Sequence, residues 1–156
     1  MCRVGVVIAT LLVPLMSAAA QTKPDFSAEW TLNRQASALS PAASGVQGGA
    51  VHIEHHEPKF RYKATLQASP SPIQYELEFV SDGSQVVNAQ AGAKTTTSLR
   101  WDGDALVLSS LMQRGAVDTS ITFRYELIDQ GRRLRATETI RGAREQDNVW
   151  IFDRRP

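Results

Sequence analysis

His52, Glu54 and His56 stand at i, i+2 and i+4 in HIEHHE (52–57). On an extended chain that spacing puts two imidazoles and a carboxylate on one face, a set that could ligate zinc or another divalent ion. A second pairing worth weighing is His55 with Glu138. A neutral imidazole both donates and accepts a hydrogen bond, and a carboxylate beside it could pass a proton. Covalent chemistry has no starting point, since there is no G-x-S-x-G elbow and the one cysteine, Cys2, lies at the extreme N-terminus. No glycine-rich phosphate loop occurs either: GVQGG (45–49) sits in a loop with no helix to follow. Which of these groups can meet depends on the faces of the strands that carry them.

Those faces are read from Lys59 to Val80. Phe60, Tyr62, Ala64 and Leu66 alternate with Lys59, Arg61, Lys63 and Thr65, and Ile73, Tyr75, Leu77 and Phe79 alternate with Gln74, Glu76, Glu78 and Val80. Period-two alternation marks strands with one dry and one wet face. Folded back about 67–72, the two runs set Leu66 opposite Ile73, Ala64 opposite Tyr75, Tyr62 opposite Leu77 and Phe60 opposite Phe79. Lys63 then meets Glu76 and Arg61 meets Glu78, and a one-residue slip would break every row. Extending the register through a tight HEPK loop puts Val51, Ile53 and His55 on the dry face. His52, Glu54 and His56 fall beside Lys63, Arg61 and Lys59. Cations alongside would repel a metal ion, so Glu54 is expected to be a rung of a Glu54–Arg61–Glu78 ladder, and neither a metal nor a cofactor is expected. His55 is expected to point inward.

Glu138 is the other inward polar group. In RRLRATETI (132–140) the dry set is Leu134, Ala136, Glu138 and Ile140, paired with Leu127, Tyr125, Phe123 and Ile121. An unpaired buried carboxylate costs several kcal/mol, so Glu138 requires a partner, a place near the rim, a proton, or a bulge that turns it outward.

The rest of the chain continues the pattern. Strands are expected at 24–33, 51–57, 85–91, 94–101, 104–112, 118–128, 132–140 and 148–153, besides the two already described. The stretch 35–50, rich in Ser, Ala and Gly, is expected to be a long loop covering one end of the sheet. Asp102-Gly103 marks a hairpin, and closing it on those two residues sets Leu99 opposite Leu106 and Thr97 opposite Leu108. Many short strands without an amphipathic helix predict an all-β antiparallel up-and-down meander. Closing it into a barrel of about eight to ten strands would hide its edges; a sandwich is the alternative.

Residues 1–20 have the form of a signal peptide: Arg3, an apolar run from Val4 to Met16, and Ala18-Ala19-Ala20 before Gln21. The run is shorter than the roughly 20 residues of a membrane span and is interrupted by Pro14. Cleavage after Ala20 would leave a single domain over 21–156, periplasmic or extracellular, without a thiol and held by its core alone. The chain has 17 Lys+Arg and 16 Asp+Glu, net +1. That gives no basic surplus for nucleic acid, and KFRYK separates its cations from its aromatics where a single-strand binder would put them together.

DFSAEWTLN (25–33), IEHHEPKFRY (53–62), WDGDALVL (101–108) and VWIFDRR (149–155) resemble a set of small secreted bacterial lipocalin-like proteins. Their usual opening reads D-F-S-G-x-W-x-L-N, and a W-D-G-D hairpin follows. The resemblance implies a lipocalin-like barrel and a small-molecule pocket, with no reaction attached. It also implies a late arginine, Arg154 or Arg155, over Trp30, although Ala28 stands where the pattern has glycine.

The expected function is therefore binding of a small apolar or amphipathic molecule in the interior. Phe60, Tyr62, Tyr75, Phe79, Phe123 and Tyr125 would line it, with His55 and Glu138 orienting the ligand. The alternative is a filled barrel acting through its surface as an envelope structural or protein-interaction module. An enzyme or metal protein is the least favoured reading.

Overall fold

The computed structural model describes residues 22–90, 92–142 and 145–156, and the leader expected over 1–20 lies outside them. Ten antiparallel strands form one sheet. They are β1 (Ala28–Leu32), β2 (Val46–His56), β3 (Lys59–Ala68), β4 (Ile73–Val80), β5 (Asp82–Gln90), β6 (Ala93–Asp102), β7 (Ala105–Arg114), β8 (Val117–Ile128), β9 (Arg133–Arg141) and β10 (Gln146–Arg154). Their spatial order is β4-β3-β2-β1-β10-β9-β8-β7-β6-β5. Successive strands pair throughout except β4 and β5, and the first and last strands pair with each other. β1 closes onto β10, setting Trp30 opposite Arg154 and Leu32 opposite Phe152. β4 and β5 follow one another in the chain yet form the two edges of the sheet. The result is a meander rolled into a barrel with a single open seam.

The pairings of the β2–β3–β4 ribbon are those the alternation dictates. His55 faces Phe60, Ile53 faces Tyr62 and Val51 faces Ala64, while Phe60 faces Phe79 and Ala64 faces Tyr75. On the outer face Arg61 reaches Glu54, Glu76 and Glu78 at 3.6, 3.1 and 3.4 Å. Exposed pairs of this kind contribute about 0.2–1 kcal/mol each, so they fix register more than they stabilise.

The β6–β7 hairpin differs from expectation. Asp102 pairs with Ala105, so Gly103 and Asp104 are the turn residues. Gly103 at φ 62 takes the first central position, where a type II′ turn needs positive φ. The register slides by two: Leu99 meets Leu108, Trp101 meets Leu106 and Thr97 meets Ser110. A slide of two preserves the faces, so the core set is unchanged.

Residues 35–45 cross one end of the barrel, with a single 3-10 turn at Pro41–Ala43. The expected loop is shorter than 35–50, because β2 begins at Val46 through an irregularity between Val46 and Gly48. Leading into this crossing, residues 33–38 run along the edge of β10 beyond β1. Asn148, Trp150 and Phe152 share one side of β10. Val149 and Ile151 lie on the other, and along the strand edge Ala38 bridges Val149 and the Ile151 N–H donates to Ser37 Oγ at 2.9 Å.

Trp30, fully buried, anchors the end where β1 closes the barrel. Its indole N–H donates to the Phe26 carbonyl at 3.0 Å, and the Arg154 guanidinium sits 4.9 Å from its ring centroid. The arginine-over-tryptophan contact implied by the resemblance is thus made by Arg154. Burying a side chain of this size contributes on the order of 1.5–3 kcal/mol, and the cation over its face adds about 0.5–1.

Candidate ligand-binding cavity

The interior is divided. Towards the end plugged by Phe26, side chains fill it. Phe26, His55, Phe60 and Trp101 pack ring against ring at centroid distances of 5.7 to 6.1 Å. Tyr125 packs on Phe60 and Tyr62 at 5.9 and 5.8 Å and forms a partition. Beyond it, under the 35–45 crossing, a cavity of about 230 Å3 remains. Tyr62 and Leu66 of β3, Ile73 and Tyr75 of β4, Phe123 of β8, Ala136 and Glu138 of β9, and Gln146, Trp150 and Phe152 of β10 wall it, with Ala42, Ala43 and Val46 closing the loop side.

The eight candidate residues separate into two groups. Tyr62, Tyr75, Phe123 and Glu138 line the cavity. His55, Phe60, Phe79 and Tyr125 do not, which corrects the expectation of one chamber lined by all eight. Alternation gives the face of a residue but not its height along the barrel, and these four lie below or within the partition. His55 is only 4 % exposed and is occupied structurally. Its Nε2 is 2.8 Å from Glu57 Oε1, and its Nδ1 faces the Phe26 N–H at 3.4 Å. The pairing of His55 with Glu138 for proton transfer therefore does not form. On the outer surface, His52 stands between Glu29 and Glu54 at 2.7 and 3.1 Å.

Glu138 points inward and is 9 % exposed. Its partners come from the strand opposite, where it pairs with Asn148. The Asn148 amide donates to Glu138 Oε2 at 2.7 Å, and the Trp150 indole N–H donates to the same oxygen at 3.0 Å. Asn148, 1 % exposed, accepts the Ser40 N–H through Oδ1 at 2.6 Å. A backbone N–H can only donate, so this contact fixes which end of the amide faces Glu138. The carboxylate is in this way tied to the crossing loop. Burial pushes the Tyr62 and Tyr125 hydroxyls well above the ordinary tyrosine value. Neighbouring phenols, with Tyr75 foremost, and the Glu138 charge push the same way. Near neutral pH these hydroxyls keep their protons.

Sequence reasoning missed Trp150, Phe152 and Asn148. The signal was present, since residues 148, 150 and 152 fall on one face, but the apolar Val149 and Ile151 hid the alternation. Ala42, Ala43 and Val46 carried no pattern, because a crossing loop has no period.

No family model and no curated protein sequence matches this chain. Among solved structures it is similar to wild-type fluorescent protein UnaG, with TM-score 0.57 and 16 % identity over 83 % of this chain and 97 % of that one. It is also similar to human cRBP IV, with TM-score 0.54 and 17 % identity over 85 % and 99 %. A secretary abundant heat soluble (SAHS) protein from Ramazzottius varieornatus aligns with TM-score 0.55 and 10 % identity over 83 % and 94 %. At such identities the likeness concerns the fold, which is a lipocalin-like antiparallel barrel.

Proposed function

We propose that this chain is an exported lipocalin-like protein that binds a small apolar or amphipathic molecule inside the barrel. The observation that carries the reading is the unfilled upper interior. About 230 Å3 is left between Tyr62, Phe123, Trp150 and Phe152, in a barrel whose other half is packed with aromatic rings. A barrel acting only through its surface has no need of such asymmetry. The lining is mainly apolar with a few polar groups, the usual make-up of a small-molecule site. The volume lies below the roughly 300–1,000 Å3 of drug-sized pockets, which favours a compact ligand. Export is proposed from the leader-like residues 1–20; intact mass of protein from its own host should show them removed.

The binding test is titration with a neutral bicyclic probe, 2-naphthylmethanol, followed by calorimetry. Saturable one-to-one binding is expected in the wild type. It should be lost in Ala136→Leu, which fills the cavity from β9. Absence of saturable binding, with no adduct on native mass spectrometry of host-purified protein, would overturn the reading.

A further inference from the structure

An apolar occupant alone leaves Glu138 unexplained. Its two protein donors, Asn148 and Trp150, both engage Oε2, and Oε1 accepts no hydrogen bond from any described residue. No Lys, Arg or His lines the cavity among the described residues. Among the described residues the donors to Glu138 are neutral, and a carboxylate 9 % exposed is costly to bury beside neutral donors alone. Asn148, held in turn by Ser40, orients it rather than neutralising it. The rings of Tyr62, Tyr75, Phe123 and Trp150 line the same cavity, and the faces of aromatic rings attract cations.

We propose that the cavity selects a small organic amine in its ammonium form, with Glu138 as counter-ion and the aromatic walls taking its apolar body. This rests on the interior being a binding site and names the class of molecule it takes. Oε1 accepts an ammonium N–H, a charge-assisted bond of the stronger kind, and the surrounding rings stabilise the same charge. A carboxylic acid of equal size would place like charge against Glu138, where screening is weaker than in bulk water. A hydrocarbon would leave Oε1 without a partner. The cavity volume admits one or two fused rings with a short arm.

Three ligands of matched shape decide the matter: 2-naphthylmethylamine, 2-naphthylmethanol and naphthalene-2-carboxylate, each titrated by calorimetry at neutral pH. The amine should bind the wild type about tenfold or more tighter than the alcohol, and the carboxylate weakest. Glu138→Gln keeps an acceptor for Asn148 and Trp150 but removes the charge. It should bring the amine to the level of the alcohol and strengthen the carboxylate. If the alcohol binds and the amine binds no tighter, the amine assignment is wrong while the pocket stands. If none of the three binds, the pocket itself is wrong. The wild-type ranking alone decides should the variant fail to fold.

Discussion

The indole N–H of Trp101 donates to Glu57 Oε1 at 2.8 Å, linking β6 to the β2–β3 turn from the other side of the open seam. Ser81, in the short connection between β4 and β5, donates its hydroxyl to the same carboxylate at 2.8 Å, and His55 approaches it from within at 2.8 Å. The Ser81 N–H also bonds the Pro58 carbonyl at 2.8 Å. One carboxylate therefore draws together three segments where the sheet has no ladder. Glu57→Ala should lower stability by about 1–2 kcal/mol, read as a shift of the urea midpoint. Glu78→Ala, on the exposed ladder, should change it by less than about 1 kcal/mol.

The same residue predicts the acid response. Burial pushes the Glu57 carboxyl up, but hydrogen bonds from Ser81, His55 and Trp101 outweigh it and leave it below the ordinary value of 4.5. Asp25 behaves alike: burial raises it, and hydrogen bonds from Ser27 bring it below 3.8. A group whose folded value is depressed stabilises fully above its unfolded value and loses that contribution as pH falls through the folded one. Stability contributed by these two groups should hold above about pH 5 and decline below it. Glu57→Gln should flatten the decline, as measured by thermal melts between pH 6 and pH 3.

Asn148 joins the cavity carboxylate to the crossing loop, so replacing it tests whether that loop is held by one side chain. Asn148→Leu leaves the Ser40 N–H and Glu138 each short of a partner in a dry setting. The expected loss is about 2–4 kcal/mol. Hydrogen exchange should show added opening in residues 35–45, with the amides of β3 and β8 protected as before.

Arg154→Ala should remove about 0.5–1 kcal/mol of cation–π attraction, while Trp30→Phe also loses the bond to the Phe26 carbonyl and part of the core. A double-mutant cycle on chemical denaturation separates the two contributions. A coupling energy near zero would mean that Arg154 only covers the ring.

Much of this was legible in the residues. Where a strand has one wet and one dry face, alternation fixed partners as far as individual rows, as with Arg61 between Glu54 and Glu78. It failed where that premise failed. At β10 both sides carry apolar residues, and Ile151 is 7 % exposed although it lies opposite the interior set, so Trp150 and Phe152 lost their contrast with Val149 and Ile151. At β5, an edge beside the seam, Val86 and Val87 are both exposed, at 44 % and 53 %, so neither marks an interior. For His55 the face was right and the depth was not. Depth depends on how Phe26, outside the strands, folds under the barrel, and no periodicity records that.

Gly49 adjoins the irregularity between Val46 and Gly48, through which Val46 reaches the cavity wall. Its φ is 143, a conformation side chains rarely adopt. A Cβ there would meet the Thr65 carbonyl oxygen at 2.5 Å and Leu66 Cα at 2.7 Å. Both are backbone atoms of the paired strand and cannot swing aside, so relief requires β2 to part from β3 or to straighten. Straightening would carry Val46 and the crossing loop away from Leu66, opening the cavity on its loop side. Gly49→Ala should therefore cost about 2 kcal/mol or more. It should also weaken naphthyl ligand binding, whereas Gly103→Ala, in an open turn far from the cavity, should lose stability without altering affinity. Equal affinity in both variants would show that this irregularity does not shape the site.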